Sequence, residues 1–128
     1  MLNVKQQEFV ALWVKALRSG KYRQGIGVLK MVDTVNGARY CCLGVLCEIA
    51  GISGVLTKRR TRIDVVEFGP WPSKEGVSQD KAYFLPHPSW FREATGLFVV
   101  DMISLSNLND RGRSFGEIAD KIEELVKA

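Results

Sequence analysis

The chain has 128 residues, of which 46% are hydrophobic and 25% charged, and its formal net charge is +4. This length fits one domain with a hydrophobic core of its own, and the composition excludes a disordered chain. The sequence contains neither a leader-like N-terminus nor an apolar run of membrane-spanning length, so we expect a cytoplasmic protein with no membrane segment. The small excess of positive charge permits an anionic partner but does not require one.

The first predicted element is an amphipathic helix over residues 3–18. Its apolar side chains recur at the helical spacing i, i+3, i+4 and i+7: Val10, Trp13, Val14 and Leu17. Asn3 suits the N-cap, and Ser19 with Gly20 suits the end.

A hairpin is predicted next. Residues 26–35 favour a strand, and Asn36-Gly37 is the preferred pair of a two-residue type I′ turn. With that turn, Asp33 would face Tyr40 on the second strand.

The apolar stretch over residues 41–51 predicts a short helix that is buried on nearly all sides, since Glu48 is its only charge. A glycine inside a helix is unfavourable, so Gly44 indicates that another backbone packs closely there. Gly51 is expected to end the helix.

The middle of the chain is predicted to hold two loops and one strand. Residues 52–62 form a cationic loop, residues 63–68 a short strand, and residues 69–80 the longest loop. We expect the prolines on either side of Trp71 to hold its indole at the surface.

The last third is predicted to be largely helical. A short helix should begin at Pro88 or Ser89 and stop at Gly96, while residues 97–110 are compatible with either a strand or a helix. Residues 109–113 read as a turn, and the Ser114 to Glu117 spacing predicts a capping box that starts the final helix.

These elements together predict a single compact α+β domain over residues 1–128. In it a small antiparallel sheet, with the hairpin at Asn36-Gly37, packs against the N-terminal, central and C-terminal helices.

The three cysteines are one candidate for chemistry. Cys41 lies where a strand is predicted to become a helix, and a helix N-terminus stabilises a thiolate. His87 would be its base and Asp110 a group to orient that base. Cysteine is also among the residue types most often buried, so a core role competes with this hypothesis.

A metal or disulfide role for the cysteines is disfavoured. Cys41 and Cys42 are adjacent, Cys47 lies on another face of the same predicted helix, and no C-x-x-C pair exists. We therefore predict no metal and no cofactor, and an odd number of cysteines suits a reducing compartment.

The cationic residues are the second candidate for a functional site. Arginine forks suit phosphate oxygens and indoles stack on bases, so these residues predict an anionic or nucleotide site. The residues of this predicted site are Lys58, Arg59, Arg60, Arg62, Trp71, Trp90, Arg111 and Arg113. The alternative is an ordinary solvated surface, because loops collect charge.

Three blocks resemble a set of small uncharacterised proteins encoded by tailed bacteriophages. They are residues 40–47 (YCCLGVLC), 108–115 (LNDRGRSF) and 118–123 (IADKIE), and residues 13–22 are similar too. The likeness covers most of the chain apart from residues 52–82. That family has no established activity, so it brings no catalytic or binding residue.

What the resemblance implies is a non-enzymatic accessory protein that sequesters or inhibits a host target through its basic loops. The target would be a host defence factor or an anionic ligand such as a nucleotide. Two alternatives stay open, namely a cysteine-dependent hydrolase or transferase that uses Cys41 and His87, and a nucleic-acid-binding protein. The sequence leaves the oligomeric state open.

Overall fold

The computed structural model describes residues 2–58 and 63–127. Within them the chain forms five helices and six strands. In chain order these are α1 (Val4–Arg18), β1 (Lys30–Asp33), β2 (Gly37–Tyr40), α2 (Cys42–Ile49), β3 (Gly54–Lys58), β4 (Ile63–Phe68), β5 (Trp71–Ser73), β6 (Gly76–Ser78), α3 (Pro88–Thr95), α4 (Val99–Asp110) and α5 (Phe115–Lys127).

Helix α1 begins and ends as predicted. The side chain of Asn3 accepts a hydrogen bond from the Gln6 amide at 2.8 Å, and the Gln6 side chain accepts one from the Asn3 amide at 2.9 Å. Two of the amides that a helix N-terminus leaves without helical partners are thereby satisfied. The buried face carries the predicted apolar residues, and the Trp13 indole donates to the carbonyl of Cys42 at 2.9 Å.

The predicted hairpin is present, but its turn was predicted wrongly. Three residues, not two, connect the strands, so Asp33 pairs with Gly37 and Tyr40 pairs with Lys30. A type I′ turn requires a positive φ at both central residues, and Asn36 does not have one. Instead the Asp33 carboxylate accepts hydrogen bonds from the amides of Val35 and Asn36 and stabilises the longer loop.

The first sheet has the strand order β2-β1-β4-β3, and every neighbouring pair is antiparallel. Strand β3 corrects the predicted loop over residues 52–62, because Gly54–Lys58 pairs with β4. Strands β5 and β6 form a second, two-stranded sheet inside the predicted long loop. The described part of residues 52–80 therefore contains more strand than its turn residues indicated.

Helix α2 is buried as predicted, since every residue from Cys42 to Cys47 is in the core. A Cβ atom added to Gly44 would lie 1.7 Å from the carbonyl oxygen of Leu29, which is the close backbone approach that the glycine indicated. Gly51 follows the helix with a φ of 73°.

The C-terminal third is helical, which decides the open choice for residues 97–110. Helix α3 stops before the left-handed Gly96, and α4 then runs from Val99 to Asp110. The turn predicted over residues 109–113 therefore begins two residues later than predicted, after Asp110. At the start of α5, Ser114 and Glu117 exchange hydrogen bonds of 3.1 and 3.2 Å as the capping box predicts.

The α+β fold class is confirmed. Val66 and Phe68 of β4 point into a core that the helices build on one side of the sheet; among its fully buried residues are Trp13, Leu46, Leu105 and Ile122. Among the described helices, none combines the length and the apolar character needed to cross a membrane.

Candidate functional site

Buried Asn109 joins two of the sequence blocks described above. Its Oδ1 accepts hydrogen bonds from the Cys42 amide and from Gln24 Nε2, each at 3.0 Å, and its Nδ2 donates to the Gly25 carbonyl at 2.8 Å. These bonds tie the start of α2, the end of α4 and the segment before β1 together. Asn109 was predicted to be a turn residue, but the structure makes it the polar centre of the core.

Cys41 lacks the properties of a catalytic nucleophile. It is the N-cap of α2, and its Sγ accepts a hydrogen bond from the Gly44 amide at 3.4 Å. The residue is 4% exposed, and this burial raises the pKa of the Cys41 thiol to about 11 despite the hydrogen bonds of the helix N-terminus. The nearby charge of Asp110 disfavours the thiolate further. The thiol is therefore neutral at physiological pH and shielded from solvent.

The proposed partners of Cys41 do not assemble around it. His87 directly precedes α3, and its Nδ1 is buried without a hydrogen-bond partner among the described residues. The Asp110 carboxylate accepts a hydrogen bond from the Gly27 amide at 2.9 Å. In the part of the chain that the structure describes, no hydrogen bond links Cys41, His87 and Asp110.

The other two cysteines are also buried free thiols. Burial raises the pKa of Cys42 and of Cys47 well above the ordinary value. Across residues 2–58 and 63–127, no group of three or more histidine, cysteine, aspartate or glutamate side chains is placed to hold a metal ion.

The two candidate tryptophans are in the core, so the prediction that Trp71 faces the surface is wrong. Trp71 is fully buried, and its ring lies 5.1 Å from that of Trp90 between their centroids. This contact packs β5 against α3. Neither indole is available to stack on a base, because each is enclosed by the protein.

The candidate cations do not form one described cluster. Lys58 ends β3, and Arg59, Arg60 and Arg62 lie outside the described residues. Arg111 and Arg113 lie in the connection between α4 and α5. There Arg113 forms a 3.2 Å ion pair with Glu117 and its carbonyl accepts a hydrogen bond from Gln24.

A partly buried ion pair fastens the first hairpin to α2. The Glu48 carboxylate accepts hydrogen bonds from Lys30 Nζ and from the Tyr40 hydroxyl, both at 3.0 Å. Burial opposes the charge on Lys30, but its bonds to Glu48 and Tyr40 outweigh burial and raise the pKa of Lys30. Both strands of the hairpin are therefore joined to α2 through Glu48.

Strand β3 forms one edge of the first sheet. It pairs with β4 on one side, and no described strand covers its other side. Val55 and Leu56 are adjacent and point to opposite faces, yet they are 54% and 56% exposed. We call this side of the strand the β3 edge. Sequence analysis missed it because the surrounding charges concealed a short strand.

The face of the sheet that points away from the helices, which we call the outer face, carries both apolar and polar side chains. Val65 lies on it between Met31 and Thr57 of the neighbouring strands, with Ile63 and Val55 adjacent. Val65 is buried there, and Thr57 on the same face donates a hydrogen bond to the Glu67 carboxylate at 2.6 Å.

Comparison with known proteins gives one match. Residues 5–63, a little under half of the chain, match the model of a domain of unknown function, DUF8296. The matched region includes α2 and β3, and also most of α1. No curated protein and no solved structure matches the chain.

Proposed function

We propose that this is a non-catalytic binding protein that takes up an extended, acidic segment of a partner protein as an additional strand along the β3 edge. The observation that carries the proposal is the open side of β3, whose exposed Val55 and Leu56 lead directly into the sequence Lys58-Arg59-Arg60-Thr61-Arg62.

The backbone of β3 supplies the affinity in this proposal. In an antiparallel pair, alternate N–H and C=O groups of an edge strand point away from its neighbour and are free to bind another strand. Each main-chain hydrogen bond gained contributes about 0.5–1.5 kcal/mol net. Burial of the two exposed aliphatic side chains adds to this.

The cationic run supplies the selectivity. Four cations in five residues attract carboxylates, and they oppose a partner segment that is itself basic. Charged residues at a strand edge also limit indiscriminate pairing. The preferred segment is therefore apolar where it pairs with β3 and carries acidic residues next to that stretch.

A protein segment is favoured over a nucleotide because the predicted stacking groups, Trp71 and Trp90, are enclosed in the core. A binding role is favoured over catalysis because Cys41 is buried and neutral. In keeping with the resemblance to small phage proteins, we propose that the partner is a host protein, bound and inhibited in the host cytoplasm.

The test uses two labelled peptides that share a Val-Thr-Val-Thr-Val strand. One carries three glutamates at one end and the other carries three lysines there. We expect the acidic peptide to bind at least about tenfold more tightly at low salt, with the difference shrinking as salt screens the charges. Amide shifts in the nuclear magnetic resonance spectrum should concentrate in β3.

The variants separate the strand from the charges. Val55→Glu should strongly weaken the binding of the acidic peptide. Val77→Glu on β6, where the valine is similarly exposed, should leave that binding unchanged. Replacing Arg59, Arg60 and Arg62 together with serine should remove the preference for the acidic peptide. Equal binding of both peptides, or tighter binding of a single-stranded oligonucleotide, would refute the proposal.

A further inference from the structure

Helix α4 carries apolar side chains on two opposite sides. Its inner side buries Met102 and Leu105 in the core. Val99, Val100 and Ile103 lie on the other side of the helix and are 40–66% exposed. We call this side, together with the exposed Phe98 that precedes the helix, the α4 face. A helix that is apolar on both sides is ordinarily buried on both, so the α4 face has the composition of a contact surface.

The α4 face also lacks the charges of a solvated helix surface. Every residue of α4 lies in the described part of the chain, and the exposed ones are Val99, Val100, Ile103, Ser104, Asn107 and Asp110. Only the last of these six is charged. On α5, by contrast, four of the five exposed residues are charged, namely Glu117, Asp120, Glu124 and Lys127. Exposed apolar side chains without charges among them distinguish the centre of a protein–protein interface from ordinary surface.

The size of the α4 face fits a contact between two small proteins. A large apolar side chain buries about 150–250 Å² when it is fully covered, so the exposed fractions of Phe98, Val99, Val100 and Ile103 amount to roughly 300–500 Å². A stable interface takes about 800 Å² from each partner, of which a little more than half is apolar. These four residues therefore supply most of the apolar area that one partner needs.

The charges around the α4 face are balanced. At its N-terminal end the Arg92 guanidinium lies over the Phe98 ring, 4.1 Å from the centroid, and the Asp101 carboxylate accepts a hydrogen bond from the Phe98 amide. At its C-terminal end the helix stops at Asp110, and Arg111 is the C-cap. A depression beside Val99 is balanced as well, since its charged lining residues are Lys74, Glu75, Arg92 and Glu93. The described charges therefore favour neither an acidic nor a basic partner.

We propose that two copies of this chain form a two-fold symmetric dimer in which the α4 helices pack antiparallel through the α4 face. In such a contact the same surface serves both copies, so it has to be complementary to itself. Antiparallel packing brings the acid and base at the start of one helix beside the acid and base at the end of the other. It also aligns the two helix dipoles favourably. Ser104, midway between Phe98 and Asp110 in the chain, is small enough to let the two helices approach closely.

The test measures the molecular mass of the full-length protein in solution. Sedimentation equilibrium between about 1 and 200 μM should show a monomer–dimer equilibrium with a dissociation constant below about 100 μM, as expected for an interface of this size. Raising sodium chloride from about 50 to 500 mM should change that constant by less than about threefold, because the contact is mainly apolar. Circular dichroism of each variant verifies that it is folded.

The variants place the contact on α4. Val100→Glu should weaken the dimer at least about 100-fold, because each copy then brings a carboxylate into an apolar interface. Leu12→Glu is the matched control, since Leu12 is similarly exposed on α1, and it should leave the dimer unchanged. A short bis-maleimide should join two copies of Ser104→Cys but not of Leu12→Cys. The native cysteines are buried and should not react.

A protein that stays monomeric at all these concentrations would overturn the proposal, as would a dimer that survives Val100→Glu. A monomer whose α4 amide resonances shift with uncharged phosphatidylcholine vesicles would overturn it in favour of a lipid surface. A dimer lost in Val55→Glu but kept in Val100→Glu would mean that copies pair through their β3 edges, which also overturns it. Because the α4 face and the β3 edge share no residue, either proposal can fail while the other stands.

Discussion

Replacement of Asn109 by alanine should destabilise the protein by about 3 kcal/mol. The largest part comes from the Cys42 amide, one of the first amides of α2, which has no helical partner and would be buried without a hydrogen bond. An unsatisfied buried donor costs about 1–3 kcal/mol. The Gly25 carbonyl loses its 2.8 Å bond as well, whereas Gln24 keeps its bond to the Arg113 carbonyl.

Urea denaturation followed by circular dichroism measures this loss. The urea concentration at the midpoint of unfolding should fall, while the dependence of the unfolding free energy on urea should stay the same. The matched control is Asn107→Ala, because Asn107 is exposed on the same helix and its replacement should change stability by less than about 0.5 kcal/mol. A loss under about 1 kcal/mol for Asn109→Ala, or an equal loss for both variants, would refute the role assigned to Asn109.

Two further predictions concern α2. A glycine-to-alanine replacement inside a helix ordinarily stabilises it, but in Gly44→Ala the added Cβ would meet the Leu29 carbonyl. We therefore expect the free energy of unfolding to fall by about 3 kcal/mol or more in the same urea assay. A gain in stability would contradict the close approach. Iodoacetamide at pH 8 should label Cys41 at least about 100-fold more slowly in the folded protein than in urea, because the thiol is buried and its pKa is about 11. Mass spectrometry of the digested protein measures this, and similar rates in both conditions would restore Cys41 as a candidate nucleophile.

Local patterns predicted the helices well. The caps at Asn3 and Ser114 and the all-apolar stretch of α2 depend on residues within a few positions of each other, so their structural consequences can be read locally. The sequence also indicated the tight packing at Gly44, because a glycine destabilises a helix and its presence there suggests a close contact that a larger side chain would prevent.

Contacts between distant segments were not predictable in the same way. The prolines around Trp71 suggested an exposed loop, but the indole gains more from packing against Trp90 on α3 than from remaining in water. The hairpin register was missed for a local reason instead, because the Asp33 carboxylate, and not the Asn36-Gly37 pair, sets the loop between the strands.

The candidate site also combines a feature that the sequence shows with one that only the fold creates. The cationic run at residues 58–62 is visible in the sequence, but the exposed strand beside it is not, because an edge is defined by which strands pair in the sheet. The packing of α1 against α5 likewise joins two helices from opposite ends of the chain.

The sequence by itself therefore determined the fold class, the capped helices and the buried character of the cysteine block, because hydrophobic periodicity and capping act over short distances. Only the tertiary structure decided that Asn109 holds that block in place, that Trp71 is internal and that β3 has an open side. The Cys42 amide that Asn109 binds is 67 residues away in the chain, Trp90 is 19 residues from Trp71, and the open side of β3 depends on which strands pair in the whole sheet.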